Sequence, residues 1–122
     1  DYSMPGHKNE RTAEDIRREI IATMKEIKDP RVSEHMLTVV RVNVSSDCSY
    51  AKVYISDLKG IEGAKAACQV LSNAQGYFRH EIGHHLHLRK APELKFIADD
   101  SVEHGMKIFQ ELDELNRKEH RK

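Results

Sequence analysis

Apolar residues recur at steps of three and four between Asn9 and Ile27, at Ala13, Ile16, Ile20, Met24 and Ile27. That period predicts an amphipathic helix with one buried face. Thr12, with Asp15 three residues on, offers a cap for a slightly later start. Asp29-Pro30 ends the helix, because the residue before a proline is pushed out of the helical region. The period then changes to two. In Met36–Val44, Val40, Val42 and Val44 alternate with Arg41 and Asn43. In Tyr50–Leu58, Ala51, Val53 and Ile55 alternate with Lys52, Tyr54 and Ser56. Two such runs joined by the polar cluster Ser45-Ser46-Asp47-Cys48-Ser49 predict an antiparallel hairpin.

Gly60 and Gly63 precede a second helix over about Glu62–Asn73, with Ala64, Ala67, Cys68 and Leu71 inward. Helical spacing breaks at Ala74-Gln75-Gly76, where Asn73 and Gly76 tolerate unusual backbone, and resumes from Tyr77 through Ile82 and Leu86 to about Leu88. Arg89-Lys90-Ala91-Pro92 stops it. Glu93–Ala98 then reads as a strand with Leu94, Phe96 and Ala98 on one face. A last helix is predicted over Ser101–Asn116, with Val102, Met106, Phe109 and Leu112 at helical spacing. The order is α-β-β-α-kink-α-β-α, an α+β chain. A right-handed crossover makes the third strand parallel to the second. The C-terminal helix is expected to pack against a three-stranded mixed sheet, with Phe78, Ile82, Leu86, Phe96 and Phe109 in the core. Residues 1–8 are expected to be disordered, 9–116 to form one domain, and 117–122 to be a basic tail.

With 122 residues the chain has the size of one domain, large enough to fold without staples. It opens without Met, as expected of a trimmed or tag-derived start. No run approaches the ~18–20 apolar residues of a membrane span. Cys48 and Cys68 lack CxxC spacing, as befits free thiols in a reducing cytoplasm. Net charge is zero, but the charges are sorted. Asp99, Asp100, Glu103, Glu111, Asp113 and Glu114 face a single base, Lys107, near the C-terminus. Arg79, Arg89, Lys90 and Lys95, with four histidines, dominate residues 76–95. Such polarity is compatible with a local anion-binding face.

His80-Glu81-Ile82-Gly83-His84 spells HExxH, the pattern in which two histidines one helical turn apart hold zinc and the glutamate serves as base. Extended hydrolase patterns continue to a glycine and a third histidine. Here those places hold His87 and Lys90, and a cation opposes metal binding. The competing reading starts from the break at residues 74–76. Small residues between two short helices let a nucleic-acid backbone approach, and amides at the start of the second helix point at phosphate. In KH domains a GxxG loop does this, clamping about four nucleotides.

The chain resembles the ribosome-binding factor A family of bacterial small-subunit assembly factors over nearly all of residues 9–115. The resemblance rests on Ile27-Lys28-Asp29-Pro30-Arg31-Val32, Val44-Ser45-Ser46-Asp47 and Tyr50-Ala51-Lys52-Val53-Tyr54-Ile55-Ser56. It extends through Ala74-Gln75-Gly76-Tyr77-Phe78-Arg79-His80-Glu81-Ile82-Gly83, Leu88–Phe96 and Asp99–Gly105. The His-rich filling at 80, 84, 85 and 87 departs from the family, as does Ser33-Glu34-His35, where a Gly usually follows the Pro-Arg motif.

The resemblance implies a type II KH-like fold in which an interrupted AxG replaces GxxG. It implies a non-enzymatic, monomeric cytoplasmic factor with no cofactor, no metal site and no membrane contact. Its partner would be the free or immature small (30S) subunit, reached through 16S rRNA with added contacts to ribosomal proteins. Its role would be late rRNA maturation and 5′-end processing, mattering most in the cold. Two other readings stay open: a zinc-dependent metallohydrolase on His80, Glu81 and His84, and a protein-interaction module without RNA contact. The expected RNA-binding residues are Ala74, Gln75 and Gly76 as a backbone platform, with Gly76 chosen for conformation and close approach. Arg79 would reach phosphate or pair with an acid such as Glu81. Arg89, Lys90 and Lys95 would extend a basic path. Arg31 would orient its loop through Asp29 or touch RNA. Lys52 and Tyr54 would share an outward strand face with Arg41.

Overall fold

The computed structural model describes residues 5–119, with side chains described for 11–101, 104–105 and 107–116. Helix α1 (Pro5–Met24) leads to a short helix α2 (Pro30–Ser33) and the hairpin β1 (Leu37–Val44) and β2 (Tyr50–Asp57). Helices α3 (Ile61–Asn73) and α4 (Gln75–Leu86) cross to β3 (Glu93–Ala98), and α5 (Ser101–Glu119) follows. The sheet runs β1-β2-β3, with β1 antiparallel and β3 parallel to β2, as the crossover requires.

One face of this mixed sheet carries Val39, Val42, Ala51, Val53, Ile55, Leu94 and Phe96, all buried. Ile16 and Ile20 of α1, Ala64, Ala67 and Leu71 of α3, and Phe78 and Ile82 of α4 close over it. The Phe78 and Phe96 rings meet at 5.3 Å in a tilted arrangement that suits their quadrupoles. Leu86 packs against the edge of the same core.

Several elements depart from the periodic reading. Residues 5–8, expected to be disordered, form the first turns of α1, where proline at the first position sacrifices no helical hydrogen bond. Residues 1–4 and 120–122, the rest of the expected disordered start and the end of the basic tail, lie outside the described residues. Helix α1 stops at Met24, and single-turn bonds from Glu26 and Ile27 carry the chain on to Asp29. The Asp29 carboxylate then caps α2 by accepting the Arg31 amide at 2.9 Å.

In β1 the register shifts between Val39 and Arg41, so Val39 and Val42 both face inward although an even step does not connect them. A bulge resets the side-chain phase, and Val40 sits at the irregularity, only half-buried. Phe109, expected in the core, is 75% exposed, and the other residues of 107–116 are exposed too. Helix α5 leaves β3 through Asp99 and Asp100, and its described side chains find no sheet beneath them.

Asp57 ends β2 with its carboxylate fully enclosed. Its Oδ1 accepts the Lys59 amide at 3.0 Å, and its Oδ2 pairs with His35 Nδ1 at 2.5 Å. A Cβ on Gly63 would fall 2.1 Å from that Oδ2, so glycine at this point of α3 makes room for the acid.

Candidate nucleic-acid interface

Ala74 alone separates α3 from α4. Its backbone lies at φ −95° and ψ 13°, and its amide returns to the carbonyls of Val70 and Leu71 at 3.1 Å. The amides of Tyr77 and Phe78 bond to the Ala74 carbonyl at 3.0 and 3.2 Å, so the chain turns one corner and is helical again at once. The start of any helix leaves its first amides unused by the helix itself. Here these are the donors of Gln75 and Gly76, in a first turn with no acidic residue of its own.

Gly76 is exposed, and a Cβ placed on it would meet nothing within 4 Å. It does not need a glycine's conformation. Among the described residues, the positive-φ positions are Cys48, Gly60 and His87, not Asn73 or Gly76. The expectation that Gly76 supplies unusual backbone is therefore corrected, because Ala74 carries the bend. What the missing side chain leaves is clear space beside the amides.

Gln75 is tied down. Its Oε1 accepts the Leu94 amide at 2.7 Å. That amide lies on the outer edge of β3, away from β2, so the side chain pins the elbow to the sheet. Tyr77 donates its phenol to Glu26, joining α4 to the chain just beyond α1, and this bond pushes the tyrosine up to about 12. His85 Nδ1 adds a second link, to Glu19 of α1 at 2.6 Å. Three side-chain bonds thus tie α4 to β3, to Glu26 and to α1.

Arg79 is only partly exposed. It donates to the Ala91 carbonyl at 3.1 Å, and its Nε is buried without a partner among the described residues. Its pairing with Glu81 is not seen. Gly83, one turn further, faces the Ala91 methyl closely enough that a Cβ would lie 3.7 Å away. Arg79 and Gly83 thus seat the returning loop on α4. That loop begins at His87, whose left-handed backbone (φ 52°) ends α4 two residues before the expected stop, and it carries Arg89 and Lys90. Both are exposed, and neither makes an ion pair among the described residues.

Arg31 forks onto Asp29, with Nε to Oδ1 at 3.1 Å and Nη2 to Oδ2 at 2.9 Å. The guanidinium holds the Asp29 carboxyl below its ordinary range, and the acid raises the arginine. Of the two roles weighed for Arg31, the loop-orienting one is visible. Lys52 and Lys95 are exposed on the sheet face opposite the helices, away from the elbow amides. On that face Arg41 lies 4.3 Å over the Tyr54 ring, so Tyr54 is covered.

The HExxH residues do not converge. His80 and His84 are exposed and stack in parallel, 6.2 Å between centroids, while Glu81 faces His85 Nε2 at 3.6 Å. Among the described residues no three His, Cys, Asp or Glu side chains gather to hold a metal ion. Sequence reasoning missed the anchoring side chains of Gln75, Tyr77 and Glu26. Their partners lie far along the chain, and no local pattern announces them.

The family model described as ribosome-binding factor A matches residues 8–112. A ribosome-binding factor A of Caldicellulosiruptor saccharolyticus is 40% identical over 109 residues, 88% of this chain and 81% of the relative. One from Desulfitobacterium hafniense is 40% identical over 117 residues, covering 95% and 92%. Among solved structures, the crystal structure of ribosome-binding factor A from Thermus thermophilus superposes with a TM-score of 0.65 at 26% identity. It covers 74% of this chain and 93% of that one. A homology model of the Thermus thermophilus factor, as fitted into the cryo-EM map of a 30S complex with ribosome-binding factor A, superposes with a TM-score of 0.58 at 27% identity, covering 70% and 89%. The single-residue elbow, the mixed sheet beneath it and these relatives agree: the chain belongs to the ribosome-binding factor A family.

Proposed function

We propose that this chain is a non-enzymatic assembly factor that binds 16S rRNA on the free or immature small ribosomal subunit and assists its late maturation and 5′-end processing in the cytoplasm. The observation that carries this reading is the elbow. Two amide donors at a helix start stand beside a glycine with open space around it, on a scaffold fixed by Gln75, Tyr77 and His85. A phosphate can reach such amides without displacing a side chain. Arg89 and Lys90, exposed on the loop seated against the same helix, supply charge to hold the strand. The fit of the Thermus thermophilus homology model into the map of a 30S complex with ribosome-binding factor A supports the choice of subunit. Conditions that trap misfolded rRNA, such as cold, are where this activity would matter most.

The test is crosslinking of the full chain to purified small subunits, alongside a Gly76→Glu variant. Contacts from residues 74–76 and 89–90 to 16S rRNA, lost in the variant, are expected. Crosslinks confined to ribosomal proteins would make the chain a protein-interaction module instead.

A further inference from the structure

The open face of the sheet carries groups that the elbow does not use. In the parallel register of β2 and β3, Lys52 stands opposite Lys95. Both side chains leave the same face from strands about 4.8 Å apart. Both are exposed, and neither makes an ion pair among the described residues. Asn43 extends this row onto β1. In the next row Arg41 pairs with Tyr54 and Tyr54 with Ile97, and the guanidinium lies on the tyrosine ring. On the other side of the lysines, Tyr50 is 59% exposed opposite Glu93. Three cations thus face one strand carboxylate, with Asp99 beyond the end of β3, near enough to Arg41 to feel its charge.

Like charges set directly opposite on neighbouring strands repel, so the fold gains nothing from Lys52 beside Lys95. A polyanion lying between them would remove the repulsion. The two surfaces are also continuous. Gln75 of the elbow holds the amide of Leu94, and the next residue, Lys95, presents its side chain on the open face. A strand leaving the elbow has only to round edge strand β3 to reach the lysines.

We infer that the open sheet face is a second RNA-contacting surface, on which Lys52 and Lys95 hold the phosphates of an unpaired strand and Tyr50 stacks on one of its bases. An exposed aromatic next to a pair of cations suits single-stranded RNA, which offers base faces as well as phosphates. The inference rests on reading the chain as an RNA-binding factor and adds a surface to it.

The experiment titrates the full chain with a short unpaired oligoribonucleotide over a range of salt. It compares Lys52→Gln, Lys95→Gln, the double variant, Tyr50→Leu and Gly76→Glu, each checked for an unchanged melting temperature. Each lysine change should flatten the slope of log K against log salt by about 0.7, and the double variant by about twice that. Tyr50→Leu should weaken binding several-fold with the slope unchanged. If the double variant keeps the wild-type slope while Gly76→Glu loses binding, the open face is idle and the elbow reading survives alone. If the lysine changes act while Gly76→Glu does not, the open face stands and the elbow reading fails. A zero-length amine–carboxyl crosslink from Lys52 or Lys95 to Glu111 or Glu114 that RNA does not prevent would assign this face to the chain's own acidic α5 and overturn the inference.

Discussion

The side-chain oxygen of Gln75 accepts the backbone amide of Leu94 at 2.7 Å, so the residue in the middle of the interrupted AxG is turned towards the sheet and not outward. Leu94 is buried, and among the described residues no strand lies beyond its outward amide. Removing the acceptor would strand a donor, at a cost of about 1–3 kcal/mol. Gln75→Ala should therefore lower stability by that amount and speed hydrogen exchange at Leu94, while Gln75→Glu, which keeps an oxygen there, should lose less. Wild-type exchange at Leu94 in the alanine variant would contradict this.

Substitution of Gly76 should separate folding from binding. Open space surrounds it, and alanine is favoured over glycine in a helix by up to about 1 kcal/mol. Gly76→Ala should melt no lower than the wild type, yet bind small subunits more weakly because a methyl group now stands beside the amides. A variant that melts lower, or binds unchanged, would show that the glycine serves something else.

Gly63 behaves in the opposite way. The same substitution drives a Cβ to 2.1 Å from the enclosed Asp57 carboxylate, which has no room to retreat. Overpacking of this kind costs about 1–3 kcal/mol and outweighs the helical gain of alanine. Denaturant melts of Gly63→Ala and Gly76→Ala, run together, should move in different directions.

Asp47 gives the hairpin loop its pH dependence. Hydrogen bonds from the Ser49 and Ser45 hydroxyls and the Ser49 amide lower its carboxyl from 3.8 to about 2. A lowered value means the stabilisation is fully present above the unfolded value of 3.8 and disappears as pH falls through about 2. The melting-temperature gap between the wild type and Asp47→Ala should stay constant near neutrality and close across that acid range.

Tyr77 should ionise well above the ordinary value of 10.0. Its bond to Glu26 favours the neutral phenol in the folded state, so the tether between α4 and the end of α1 holds below the ordinary value of 10.0 and is lost as pH rises through about 12. Phenolate absorbance should show a component near 12 that disappears in Tyr77→Phe and moves down in Glu26→Gln.

The elements were legible because their periods are clean. Ala51, Val53 and Ile55 alternate without interruption, and all three are buried. Legibility failed where one residue breaks a period. The bulge at Val40 changes which valines face inward, and Val39 is the one that alternation overlooks. At the elbow, the position of the bend was readable but its bearer was not, since glycine is the usual suspect and alanine at Ala74 carries no warning. Exposed cations were found as a class. Only coordinates sort them into Arg31 and Arg79, engaged by Asp29 and Ala91, and Arg89, Lys90, Lys52 and Lys95, which remain available. Phe109 looked like core because amphipathic spacing does not say whether a surface exists to receive it.

The elbow lies midway along the only connection between β2 and β3, and β3 joins the sheet with Tyr50 beside Glu93 and Ile55 beside Ala98. Pairing across so long a stretch of chain is among the slower events of folding. Until it is complete, Gln75 has no Leu94 amide to hold and the two helices are not set at their angle. A nascent or partly unfolded copy therefore lacks the bond that pins Gln75 to the sheet. On the proposed reading, engagement of RNA through the elbow would be reserved for molecules that have finished folding.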